Sequence, residues 1–211
     1  METNLVTAIV MATMLEAKPF VLGMSLRQTG KIPFRLFQND GTLLIISGIG
    51  KANAAMATAY SFLKFEPACI CNLGAAGATR SGYDLGEIFH IQKIVEPDRP
   101  DLKTGKPCVH KPDLLAGFKT GVLATSDRAV LDPKERKAIS INADLIDMEG
   151  ASVVQACKLF KKNCYLFKFV SDTPDHRHDQ DIVDHIRHYR QIFYEYFADA
   201  VRPVLHEPGF L

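Results

Sequence analysis

The chain has 211 residues, 47% of them hydrophobic, and a formal net charge of +1. That length suits one domain, residues 1–211, with apolar residues enough for a full core. The near-neutral charge argues against nucleic acid or an anionic membrane as partner, and no apolar run reaches membrane-spanning length. The N-terminal METNLVTAIVMATMLEAKPF has an early acid and no basic leader region, and five cysteines are scattered through apolar segments. A reduced, cytoplasmic setting is therefore expected.

In chain order, LVTAIVMA (5–12) reads as a first strand, and EAKPFVLGM begins a helix. PFRLFQNDGTLLIISG reads as a hairpin turning at Asn39-Asp40-Gly41. KANAAMATAYSFLKF (51–65) is a helix whose alanines allow close packing on a sheet. ACICNLG (68–74) is almost wholly apolar, as a strand covered on both faces should be, with Cys69 and Cys71 on one of them. EIFHIQKIVEP is another strand, and 98–116, with three prolines and several charges, reads as a long loop. TGVLATS (120–126), a helix opened by Pro133, DLIDM, a helix over 150–161, CYLFKFVSD (164–172) and an amphipathic helix near 181–205 complete the series.

Strands alternating with helices predict an α/β fold, a three-layer sandwich around a mostly parallel, twisted sheet. In such sheets ligands lie beyond the C-terminal ends of strands. The segments of interest are therefore 12–16, 47–51, 72–77, 125–130, 147–150 and 170–172. Gly48-Ile49-Gly50-Lys51 has the look of a phosphate cradle, but Asn53 stands where a dinucleotide fingerprint needs its third glycine, and a tight strand-to-helix turn explains it equally well. Each of Glu16, Glu149 and Asp172, taken alone, reads as a charge complementing a helix N-terminus. Together they suggest displacement at a sugar carbon, where an acid serves the leaving group, a base or positioner serves water, and a further carboxylate grips vicinal hydroxyls.

Five motifs occur in order: Thr13-Met-Leu-Glu16, Ser47-Gly-Ile-Gly-Lys-Ala-Asn-Ala-Ala55, Asn72-Leu-Gly-Ala-Ala-Gly77, Asp147-Met-Glu-Gly-Ala151 and Val170-Ser-Asp172. From about residue 5 to 200 the chain resembles the purine nucleoside phosphorylase/hydrolase superfamily, most closely its methylthioadenosine/S-adenosylhomocysteine nucleosidase group. The resemblance implies a small-molecule nucleoside as partner, a homodimer and no cofactor. It implies that Glu149 binds the ribose hydroxyls, that the backbone at Met148 lies along sugar and base, and that Asp172, supported by Ser171, protonates the purine at N7. Glu16 would hold and activate water. Ile49, Ala75, Ala76 and Gly77 would line the pocket, with Ala129 and Val130 beside the base. Asp172 must then carry a proton in the complex, and Glu149 must stay charged to favour a positive sugar.

The departures bear on substrate. No arginine lies near 12–16, and Asn72 rather than an arginine opens the central glycine motif, which favours water over phosphate as nucleophile. Ala129 falls where the nucleosidases carry a stacking ring, Ala75 where they carry a serine, and Lys168 where they carry an arginine; Arg128 could supply stacking or be solvated. A modified or larger nucleoside, of the futalosine or hopanoid type, is a competing substrate. A phosphorylase and a non-catalytic nucleoside binder are the rival functions, and the three acids together speak against the binder. Asp175-His-Arg-His178-Asp-Gln-Asp181 and Asp184-His185-Ile-Arg-His188 have ligand-like spacing, but a polar loop and an exposed helical face account for them, so no metal is expected.

Overall fold

The computed structural model describes residues 7–175 and 179–207. Strands β1 (Thr7–Met11), β2 (Arg27–Gly30), β3 (Arg35–Gln38), β4 (Thr42–Ile46), β5 (Cys69–Ala78), β6 (Ile88–Pro100), β7 (Pro107–His110), β8 (Thr120–Thr125), β9 (Leu145–Asp147) and β10 (Asn163–Asp172) form one sheet. Helices α1 (Met14–Gly23), α2 (Lys51–Phe65), α3 (Pro133–Ile139), α4 (Gly150–Leu159) and α5 (Asp179–Tyr196) alternate with them, and α5 continues through a π-helical segment, Phe197–Val201, into α6 (Arg202–Leu205).

The α/β alternation and helices on both faces agree with expectation; a mostly parallel sheet does not. Of the ten strand pairings among the described residues, five are parallel and five antiparallel. The sheet also closes on itself. β5 pairs with β10, β10 with β6, β6 with β8, β8 with β9, and β9 returns to β5, while β1, β4, β3 and β2 extend as a wing from the other half of β5.

The strand patterns explain why the core sits on both sides. In β1, Ala8 and Val10 join Ile45, Ala54, Ala57 and Val153 under α2 and α4. Its alternate residues, Ile9 and Met11, join Leu44, Phe20, Phe167 and Phe193 under α1 and α5. A strand buried on both faces has no polar side to display, hence its unbroken apolar run. Cys69 and Cys71 pack in this second cluster as free thiols. The Asn39 turn forms as read: its Oδ1 accepts the Gly41 and Thr42 amides at 3.2 and 2.9 Å.

The 98–116 segment is a correction. β6 runs on to Pro100, and β7 pairs back upon it with Val95 opposite Val109. Asp101 Oδ1 caps the intervening turn by accepting the Lys103 and Thr104 amides. Pro100 and Pro107 face each other at the turn end of this edge hairpin, a position where a missing N–H is tolerated.

Candidate active site

A cavity of about 410 Å³ lies where the wing departs from the closed part of the sheet. β5 creates it. Its residues 69–72 pair with β1, and on the same edge Gly77 and Ala78 pair with β9. Between them β1 and β9 diverge, and that stretch of β5 has no strand partner on this side. The Ala75 amide there donates instead to Glu16 Oε1 at 2.9 Å. The 72–77 segment is thus mid-strand rather than a strand end, but it is where neighbouring strands part, the usual place for a ligand in an α/β sheet.

Each carboxylate is fixed by local geometry. Glu16 is the third residue of α1 and closes a capping box: its Oε2 accepts the Thr13 amide at 3.0 Å and the Thr13 hydroxyl at 2.7 Å. The capping reading and the site reading of this residue therefore coincide. Glu149 is the N-cap of α4 yet makes no side-chain capping bond. Asp147 Oδ2 takes the Gly150 amide at 2.9 Å, which leaves Glu149 free to accept the Gly50 amide at 2.8 Å. Asp172 ends β10 after a bulge: Val170 faces Ala76 and Asp172 faces Gly77, so Ser171 is the extra residue. The bulge breaks the strict alternation and lets Ser171 and Asp172 both line the cavity.

The glycines of the 72–77 motif make room for two of these acids. A Cβ on Gly74 would come 2.8 Å from Glu16 Oε1, and one on Gly77 would come 2.7 Å from Asp172 Oδ2.

All three acids are buried, at 4–7% exposure. Lys168, 2% exposed, lies among them with its Nζ 2.9 Å from Asp147 Oδ2. Burial works against its charge, but Asp147, Glu149 and Glu16 outweigh that and raise its pKa. Burial, and then the charge of Asp147, push Glu149 up to about 7, against the opposing pull of Lys168 and the Gly50 amide. The expectation that Glu149 stays charged therefore meets a buried, acid-rich setting in which protonation competes at neutral pH. Asp172 is gripped from two sides: Ser171 Oγ donates to Oδ1 at 2.7 Å, and the Arg136 guanidinium makes a close ion pair with Oδ2.

Every residue expected at the site lines this one cavity: Glu16, Ile49, Ala75, Ala76, Gly77, Ala129, Val130, Met148, Glu149, Ser171 and Asp172. Four features were missed by sequence reasoning. Arg136 was not singled out, although it shares a face of α3 with buried Ile139 at helical spacing, a charge on a core face. Asp147 had no assigned role, and Lys168 was noted only as a departure. The apolar wall of Ile182, Val183 and Ile186 comes from α5 and carries no motif. No aromatic side chain lines the cavity among the described residues, and Arg128 is turned to Glu135, its Nη2 donating to both carboxylate oxygens at 2.7 and 2.9 Å.

The ligand-like 175–188 segment lies partly outside the described residues, at His176, Arg177 and His178. Of its remainder, His185 Nδ1 is 3.0 Å from the Ser171 carbonyl oxygen and His188 packs edge-on against Tyr189. No metal-holding cluster forms among the described residues.

Fold and site together define a nucleoside phosphorylase/hydrolase-type scaffold. The chain belongs to the phosphorylase superfamily, whose family model matches residues 27–202. It is 25% identical over 162 residues to an aminodeoxyfutalosine nucleosidase of Campylobacter jejuni, covering 66% of this chain and 71% of the relative. It is 29% identical over 160 residues to a 5′-methylthioadenosine/S-adenosylhomocysteine nucleosidase of Staphylococcus carnosus, covering 64% and 69%. The fold matches the Neisseria meningitidis nucleosidase of the latter type in complex with methylthio-immucillin-A, with a TM-score of 0.81 at 20% identity over 94% of this chain and 99% of that one. It matches Helicobacter pylori futalosine hydrolase with a TM-score of 0.84 at 17% identity over 96% and 100%.

Proposed function

We propose that this chain is a nucleosidase that hydrolyses the N-glycosidic bond of an adenine-type nucleoside: methylthioadenosine, S-adenosylhomocysteine, or a modified or futalosine-like relative. The observation that carries this reading is the convergence of Glu16, Glu149 and Asp172, each buried and separately anchored, on one mainly apolar cavity. The names of the curated relatives support it, and the cavity volume suits a small ligand.

In this mechanism Asp172, oriented by Ser171, gives a proton to the base nitrogen N7 as the bond from the sugar carbon to N9 breaks, and the bonding pair leaves with the base. Glu149 accepts hydrogen bonds from the ribose hydroxyls, and its negative charge favours the oxocarbenium-like sugar. Water held by Glu16 bonds to the sugar carbon and surrenders a proton to that carboxylate. Met148 backs the sugar, Ile49 and Ala75 to Gly77 shape the pocket, and Ala129 and Val130 flank the base. No step calls for a metal or cofactor. The reading extends to a single-domain, cytoplasmic homodimer.

Water is favoured over phosphate because, among the described residues, the cations Arg128, Arg136 and Lys168 that line or abut the cavity are engaged, by Glu135, Asp172 and Asp147 respectively. A panel of purine nucleosides, incubated with and without phosphate and followed for free base, tests the proposal. Release of base without phosphate is expected. Release that requires phosphate and yields ribose-1-phosphate would make it a phosphorylase, and no release from any member would leave a binding protein.

A further inference from the structure

Arg136 is the largest fully buried side chain among the described residues, 2% exposed, at the end of the cavity that holds Asp172. A charge buried so deeply persists only if its donors are used. Its Nε donates to the Val130 carbonyl at 2.7 Å, its Nη1 to the Ala78 carbonyl at 3.0 Å, and its Nη2 to Asp172 Oδ2. One planar group thus joins the 126–132 loop, the end of β5 and the end of β10. It comes from α3, which holds no other expected site residue; α3 is set by Asp132, whose side chain accepts the Lys134 and Glu135 amides, and by Pro133 in its first turn.

Resting on the nucleosidase reading, we propose that Arg136 is a positioning residue for leaving-group protonation: it pins Asp172 Oδ2 against Gly77 and ties the loop beside the base to the acid. Ser171 orients the other oxygen, so the carboxyl has one setting. The proton that Asp172 carries in the complex comes from solvent, against the pull of the guanidinium; when it passes to the base, the carboxylate left behind regains its close ion pair with Arg136, which favours transfer. Arg136 itself neither gains nor loses a proton and makes no bond to the sugar. Because its Nε holds the Val130 carbonyl, displacement of that loop would also displace the acid.

The test compares Arg136→Lys and Arg136→Met on two substrates: a purine nucleoside, whose base must be protonated to leave, and 4-nitrophenyl riboside, whose nitrophenolate leaves without a proton. The expected result for Arg136→Met is a fall in kcat on the purine nucleoside of roughly 30-fold or more, with KM within about threefold. Turnover of the nitrophenyl riboside should stay within about threefold, and Arg136→Lys should recover part of the loss. An equal loss on both substrates means a merely structural role and overturns the proposal, as does a loss under threefold on the purine nucleoside. If Arg136→Met does not fold, a cycle of Arg136→Lys with Asp172→Asn decides: the lysine variant should have no further effect once Asp172 is changed, and additive losses overturn the coupling. A wild type inactive on all nucleosides sinks the nucleosidase reading alone, because a crystal structure of Arg136→Met, which removes the pair outright, still tests the positioning. Asp172 should leave its place beside Gly77, and an unmoved carboxyl refutes it.

Discussion

Asp172 stands between a hydroxyl and a guanidinium, and replacing one of its oxygens is the sharpest test of the proposed chemistry. Asp172→Asn keeps the volume and removes the acid, so base release should fall by roughly 10²–10⁴-fold while substrate still binds; a fall under tenfold in single-turnover assays would remove Asp172 from the acid role. Glu149 is tested by pH. Burial and the neighbouring Asp147 raise it to about 7 from an ordinary 4.5. Because its ionised form is the one proposed to bind the ribose hydroxyls, kcat/KM on ribosides should rise as pH increases through about 7. Glu149→Gln should lack that limb, and a variant that keeps it would assign the titration elsewhere. The same shift has the opposite sign for stability. A carboxyl raised in the fold favours the folded state below about 4.5, and that contribution is lost as pH rises through about 7. The acids themselves were legible because carboxylates are conspicuous at the ends of apolar runs. Arg136 was not, because three of its partners are 6, 36 and 58 residues away in sequence.

Elements with a strong local signature were the readable ones. α2 coincides with its alanine-rich run at Lys51–Phe65, and the β3–β4 hairpin turns at Asn39 as its side chain dictates. β2, the exposed Arg-Gln-Thr-Gly edge, has no apolar alternation and held no signal. The bulge at Ser171 was equally silent, since one added residue leaves composition unchanged while re-aiming the acid. The 126–132 loop carries a prediction of its own. Ala129 is exposed and lines the cavity, where no aromatic ring among the described residues is placed to stack on a base. Ala129→Phe should raise affinity for simple adenine nucleosides by the ~0.5–1.5 kcal/mol of an aromatic contact, and should harm any native substrate that fills that space. Specificity constants for methylthioadenosine in both forms decide it. An efficient wild type indifferent to the change would mean that another group provides the platform.

At the scale of the molecule, the alternation of strands and helices gave the class but hid the closure. β9 has only three residues, Leu145–Asp147, and its pairing with Gly77 and Ala78 joins segments some seventy residues apart that no local pattern links. Of the five antiparallel pairings among the described residues, β10 with β6 is long-range in the same way, while β2–β3, β3–β4 and β6–β7 are local hairpins. A whole-molecule test concerns metal. Dialysis against a chelator should leave activity unchanged, whereas inactivation reversed by added zinc or manganese would revive the histidines of 176–188 as ligands. The divided edge of β5 has a final consequence. The sheet passes from wing to barrel through β5 alone, so the cavity is a seam, bridged by the Ala75 amide to Glu16 and the Gly50 amide to Glu149. A nucleoside lying across the seam would act as a cross-link between the two halves. Bound substrate analogue should therefore slow hydrogen exchange at Ala75 and Gly50 more than at Cys71, which the strand ladder already protects on both edges.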